Sequence, residues 1–394
     1  MIRELHLQGF KRYQDERIPL APLTVLTGFN SGGKSSAMQA LLLLHQAASD
    51  GVENASTGNT VALNAPGLTL GDLGTVRNET AQEDTFLLGL TTEKTSVAWT
   101  LGWPQLPSDS LAVPVSRIDL NGTAITSTKA GDLAFAPSAL RDDPGAKAAL
   151  DALARLQFVP ADRVGPAETY PLDDPARHAT PGPRAERTFG NLLSRDIEVL
   201  PALCHASDQA QTVRRQAEAW LSELFTKTTL DPLQVKNANL LTLGIRTSED
   251  LGFHRPQNVG FGVTYALPLI LALLTAKVGD IVLLENPEAH LHPRAQARLA
   301  RFCAKAAAAG IQVIIETHSD HVLNGIRVAV HGAQIAPADV SILFFGGPSA
   351  APGEIFSHIT VNRSGQLSEW PAGFFDETDH LLDRLLEPTG EAVS

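Results

Sequence analysis

Near the start of the chain, Gly28-Phe-Asn-Ser-Gly-Gly33-Lys34-Ser35 fits the spacing G-x-x-x-x-G-K-[ST]. A loop of this composition turns its backbone N–H groups inward, so Gly28, Asn30, Ser31, Gly32 and Gly33 can cradle phosphate oxygens. A helix opened by Ser35 and Ser36 would add the positive end of its dipole. Lys34 supplies a point charge for β and γ phosphates, and the Ser35 hydroxyl a ligand for Mg2+.

A second centre lies far downstream. The run Ile281-Val-Leu-Leu-Glu285 is a buried-strand pattern ending in a carboxylate, where a nucleotide-binding sheet keeps the acid that holds Mg2+. The pair Gly260 and Gly262, just before an apolar helix, lacks Cβ atoms and so lets backbone N–H groups approach a phosphate; an ordinary turn leading into a helix explains it equally. His290, His292, His318 and His321 invite a zinc reading, since His-x-His plus a distant His can supply three nitrogens. Gln157, a polar residue in a predicted core strand, is either a Mg2+-sensing glutamine or simply structural. Arg163 either reaches nucleotide or a partner, or pairs with Asp162 in a structural turn.

These residues need a scaffold. Short strands are predicted at Ile2 to Leu7 and Pro22 to Thr27, the second running into the glycine-rich turn and a helix through Leu44. Between about Thr60 and Thr128, short strand-like runs separated by Gly, Asn, Pro and Ser predict an antiparallel layer. A helix is expected from Ala139 to Leu156, a strand at Gln157-Phe-Val, a long surface loop to about Arg184, and helical patterning from about Arg187 to Phe225. From Asp280 the order is strand, helix, strand, helix, strand, the alternation of a mostly parallel sheet. The fold class is therefore α/β: a mostly parallel sheet flanked by helices, with an antiparallel β layer and a helical insertion. Both ends of the chain are expected in one sheet. The expected division is 1–50 with 251–350 as core, 51–160 as the β-rich part, 161–250 as insertion and 351–394 as a C-terminal strand and helix extension.

With these motifs in hand a resemblance becomes specific. Glu285-Asn-Pro-Glu-Ala-His-Leu-His-Pro293 resembles the Walker B and D-loop segment of bacterial ABC-type ATPases of the OLD, RecF and SMC group. Glu316-Thr-His318-Ser resembles their switch histidine, Asn258-Val-Gly260-Phe-Gly262 a divergent signature loop, and Glu369-Trp370-Pro371-Ala-Gly373-Phe374-Phe375-Asp376 the close of one uncharacterised branch. The resemblance implies a P-loop head that binds ATP and Mg2+ and closes as a homodimer, an ATP sandwich with two nucleotides at the seam. It implies a separately encoded effector such as a nuclease, in anti-phage defence or DNA repair. It also places His290 and His292 in the D-loop without a metal. One departure matters: where the family usually has the glutamate that polarises water, this chain has Asn286, which accepts no proton at neutral pH. Glu288 or His318 would then orient the water, or ATP is hydrolysed slowly.

Composition narrows the classes further. Thirty-one Lys and Arg against 43 Asp and Glu give a net charge of -12, so affinity of the lone chain for DNA is expected to be weak. Arg3, His6, Lys11, Arg12 and Arg17 form the densest basic patch, a solvated strand edge or a contact for phosphates. Cys204 and Cys303 form no CxxC spacing, and no apolar run reaches membrane-spanning length. Met1-Ile-Arg-Glu-Leu5 alternates like a strand, so no secretory signal is expected and the cytoplasm is the expected compartment.

Overall fold

The computed structural model describes residues 1–53, 59–81, 83–172, 181–346 and 355–386. Its centre is a six-stranded sheet in the order Gln157–Val159, Ile281–Glu285, Gln312–Glu316, Leu23–Gly28, Val340–Phe345, Phe356–Ile359. The first five strands run parallel and the last antiparallel. Both faces are covered, which is why these strands read as continuous apolar runs. Alternate residues serve different cores: Val282 and Leu284 face one, Ile281 and Leu283 the other.

On one side lie the helices Val213–Leu224, Phe261–Thr275, Pro293–Ala308 and Asp320–His331. On the other, the helix Lys34–Glu53 separates the parallel sheet from an antiparallel sheet of seven strands. The second sheet holds Ile2–Phe10, Tyr13–Pro19, Thr60–Ala62, Thr85–Thr92, Ser96–Gly102, Ala112–Leu120 and Thr123–Thr126.

Three expectations need correcting. The strand Ile2–Phe10 belongs to the antiparallel sheet and not to the parallel one, because Tyr13–Pro19 and Thr85–Thr92 saturate its two edges. The stretch 187 to 225 is not continuously helical. A 3-10 segment, Glu186–Leu193, is followed by irregular chain, and the α-helix begins only at Val213. The helix expected over 139 to 156 is broken at Asp143, whose carboxylate caps the piece Pro144–Ala154. The end of the extension, 387–394, and residues 173–180 of the loop before Arg184 lie outside the described residues.

Candidate functional site: a phosphate loop between two acidic strand ends

The strand Leu23–Gly28 ends at the rim of the sheet, and the loop after it leads into the helix that begins at Lys34. Its glycines are required by geometry. Gly28 and Gly33 have φ of 124° and 116°, and a Cβ on Gly28 would stand 2.2 Å from the Phe345 carbonyl oxygen. Ser31 adopts φ 61°. The loop is fastened from the antiparallel sheet: Tyr13 Oη donates to the Gly33 carbonyl at 2.8 Å, and the Arg12 guanidinium donates to the Ser31 carbonyl. Lys34 is buried and folds back into the loop, donating to the carbonyls of Phe29 at 2.8 Å and Gly28 at 3.1 Å. Burial lowers its pKa, and the nearby charge of Glu316 opposes that shift. Asn30, Ser31 and Ser35 are exposed at the loop's outer surface, with Ser36 half-buried beside them.

Two carboxylates meet at the strand ends beside the loop. Glu285 and Glu316 are register partners on adjacent parallel strands. Glu285 accepts from the Ala161 N–H at 3.0 Å, whereas Glu316 Oε1 accepts from the Ser35 hydroxyl at 3.0 Å. Burial raises the pKa of Glu316, with Glu285 adding to the rise and the Ser35 hydrogen bond and Lys34 opposing it. Its Oε2 is buried without a hydrogen-bond partner. Together with Ser35 and Asp162, both carboxylates line a cavity of about 350 Å³. Glu316 is a site residue that the sequence reading does not assign, although it carries a signal, a lone acid closing the apolar run Val313 to Ile315.

After Glu285 the chain turns sharply. Asn286 sits at φ 42°, its N–H donates to the Glu316 carbonyl at 2.8 Å, and its Oδ1 is buried without a partner. Arg163 holds this turn. Fully buried, it donates to Tyr265 O at 2.9 Å, Pro160 O at 3.2 Å and the carbonyls of Glu285, Asn286 and Pro287 at 3.3 Å. Its planar fork suits several carbonyl acceptors at once. Burial pulls its pKa down to about 10, with Glu288 and Glu285 opposing, so it remains a cation at neutral pH. The expected Arg163 to Asp162 pair is absent; Asp162 lies instead 3.8 Å from Arg184.

Glu288 is fully engaged, accepting from Thr317 Oγ1 at 2.8 Å and from the His318 N–H at 2.9 Å. It thereby joins the turn after Glu285 to the segment after Glu316. His318 is exposed beside Gly28, Phe29 and Asn30, in a second cavity of about 390 Å³ closed on its far side by Gly373, Phe375 and Asp376. Burial and then the Lys34 charge lower its pKa from 6.5.

Five candidates lie elsewhere. Gln157 pairs with Val282 at the opposite end of the strand. At roughly 3.3 Å per residue that is about 10 Å along the strand from the acidic rim. His290 packs against the Tyr265 ring at 4.2 Å, and His292 caps the helix Pro293–Ala308 through the Arg294 N–H. Among the described residues no group of three or more His, Cys, Asp or Glu is arranged to hold a metal, so the zinc reading fails. Gly260 and Gly262 stand at the start of the helix Phe261–Thr275, where Gly260 is exposed with open space around its Cα, and neither lines the two cavities. The basic patch is largely paired, Arg3 with Glu93, Arg17 with Glu4 and His6 with Asp15.

This geometry agrees with a family match. The profile described as "AAA domain, putative AbiEii toxin, Type IV TA system" matches residues 23–324, more than half of the chain. The chain belongs to this AAA family. The AAA domain is thus a P-loop ATPase in family and fold. A second profile, "Protein of unknown function (DUF3696)", matches residues 335–385, the part that reaches the phosphate loop through Gly373 and Phe375. Among solved structures, the AAA domain is similar to the SmcHead bound to the C-winged helix domain of ScpA, at 13% identity and a TM-score of 0.50, over 92% of this chain and 97% of that one. It also matches the SMC head domain from Thermotoga maritima, with 13% identity, a TM-score of 0.43, and 92% and 99% of the two chains covered. No protein with a curated function matches the sequence. Among the described residues no helix is long and apolar enough to cross a membrane.

Proposed function

We propose that this AAA domain binds ATP with Mg2+ in the loop from Gly28 to Ser36, closes with a second copy around two nucleotides, and uses closure to control a separately encoded effector such as a nuclease. The observation that carries the reading is the loop itself: glycine-enforced turns around the buried Lys34 ammonium, with Ser35 against an acidic strand end. Magnesium fits the residues present. Glu285, Glu316 and the Ser35 hydroxyl offer hard oxygen donors at one cavity wall, and one of them, Glu316 Oε2, is buried without a partner. Bound there, the cation would neutralise charge on the phosphates.

Dimer closure is supported by the bare helix start at Gly260, which faces open space and lies apart from the phosphate loop of its own chain. A second copy would bring that N-terminus to the γ phosphate. The family description, with its type IV toxin–antitoxin wording, supports a paired effector, and defence against phage or DNA repair in the cytoplasm is the setting we infer. The net charge of -12 argues that DNA binds weakly to the lone chain.

A second reading has an observation of its own. Asn286 replaces a base and Glu288 has both oxygens occupied, which favours a nucleotide-gated scaffold with negligible hydrolysis. Purified chain with ATP and Mg2+, with and without duplex DNA, separates the two: multiple turnovers support the engine, a tight ATP-dependent dimer without phosphate release the scaffold. Lys34→Ala abolishes ATP binding in calorimetry under both readings, and unchanged affinity refutes both.

A further inference from the structure

The acid that the sequence assigned to the cation is Glu285, yet Glu285 already accepts a backbone N–H from Ala161 at 3.0 Å. Its register partner Glu316 is placed differently. Only 5% of Glu316 is exposed, one oxygen accepts from the Ser35 hydroxyl at 3.0 Å, and the other, Oε2, has no partner although it is buried. Leaving a buried carboxylate oxygen unpaired is costly, and such an atom in a native fold calls for a partner, an ordered water or a bound ion. Glu316 lines the same cavity as Ser35 and Glu285, so a cation at the Ser35 hydroxyl would lie beside the Glu316 carboxylate.

We propose that Glu316 is a direct contact of the divalent cation that accompanies ATP, shared with Ser35, while Glu285 stands one place further out. The inference rests on the ATP-binding reading above and refines it. The phosphate-loop serine is thereby read by the strand Gln312–Glu316, whose next residues, Thr317 and His318, are gripped by Glu288. Arrival of the cation would be felt first in the switch segment and through it in the turn at Asn286, whose N–H is bonded to the Glu316 carbonyl.

The test uses the full chain and calorimetric ATP binding, titrated with Mg2+ or Cd2+. Glu316→Gln should raise the Mg2+ concentration needed for metal-supported binding by roughly tenfold or more and weaken metal-free ATP binding far less, if at all. Because that loss alone would not separate an inner from an outer ligand, Glu316→Cys provides the decisive arm: a thiolate in direct contact prefers a soft cation, so Cd2+ should restore the metal-supported binding that Mg2+ no longer gives. The same exchange at Glu285 should show no such rescue. Should Glu316→Gln unfold the chain, Glu316→Cys with and without Cd2+ still decides. Mg2+ dependence like the parent's in both Glu316 variants, or Cd2+ rescue at Glu285→Cys instead, overturns this inference and leaves ATP binding standing. A parent that binds no ATP overturns both.

Discussion

Tyr13 and Gly33 are joined by a buried hydrogen bond of 2.8 Å, phenol to carbonyl, across the boundary between the antiparallel sheet and the phosphate loop. A Cβ on Gly33 would come within 3.0 Å of the same phenolic oxygen, so glycine and tyrosine fit only as a pair. Burial raises the Tyr13 pKa, keeping the phenol a neutral donor across the working pH range. Tyr13→Phe should destabilise the chain by about 1–3 kcal/mol, since the Gly33 carbonyl is left without its donor. Urea unfolding measures it, and a change below a few tenths would mean that water replaces the phenol.

Asn286 and Glu288 are tested as a pair. Installing a base by Asn286→Glu should raise kcat for ATP by about 10² to 10⁴, the range of a positioned acid–base group. The left-handed φ of 42° opposes the larger side chain, so folded stability should fall in parallel. If Glu288 serves as the base in the parent despite its two hydrogen bonds, Glu288→Gln abolishes turnover and Asn286→Glu leaves it flat. If neither variant changes the rate, the water is oriented by His318 or by a residue of a second protomer.

Arg163 is a positioning residue with no carboxylate partner. Arg163→Met would strip the donors from five carbonyls at once and should cost about 3 kcal/mol or more. Arg163→Lys should recover little, because a point charge cannot span acceptors from Pro160 to Tyr265. Urea midpoints for the two variants check this, and full recovery by lysine would show that charge alone mattered.

His318 provides the pH dependence. Its lowered pKa keeps the ring neutral down to a pH below the ordinary 6.5, so a turnover that needs neutral His318 should hold through pH 6.5 and fall only on further acidification. Nuclear magnetic resonance titration of the ring should give a midpoint below 6.5. A midpoint above that value would mean that Glu288 outweighs burial and Lys34.

The parallel sheet was readable because its strands are buried on both faces. Ile281–Glu285, Gln312–Glu316 and Val340–Phe345 form where their apolar runs predict. Tyr13–Pro19 was not delimited as a strand for the converse reason: it is an edge strand with much of its length exposed, and Gln14, Asp15 and Glu16 interrupt any apolar run. At the site, the phosphate loop was visible as a local pattern, whereas the role of Arg163 was not, since its acceptors are backbone carbonyls up to 124 residues away that carry no residue identity. Gln157 misled because chemistry without register cannot say which end of a strand a side chain occupies.

The Ser35 to Glu316 hydrogen bond spans 281 residues. Ribosomes add about 5–20 residues per second, so roughly 15–60 s separate the emergence of the two halves of the site. Throughout that interval the strand Leu23–Gly28 lacks both its neighbours, Gln312–Glu316 and Val340–Phe345, while every strand of the antiparallel sheet has been made by Thr126. The nascent chain therefore carries all the strands of the β scaffold, its core still open, and an unpaired apolar strand long before it can hold a nucleotide, and slow translation lengthens its exposure to aggregation.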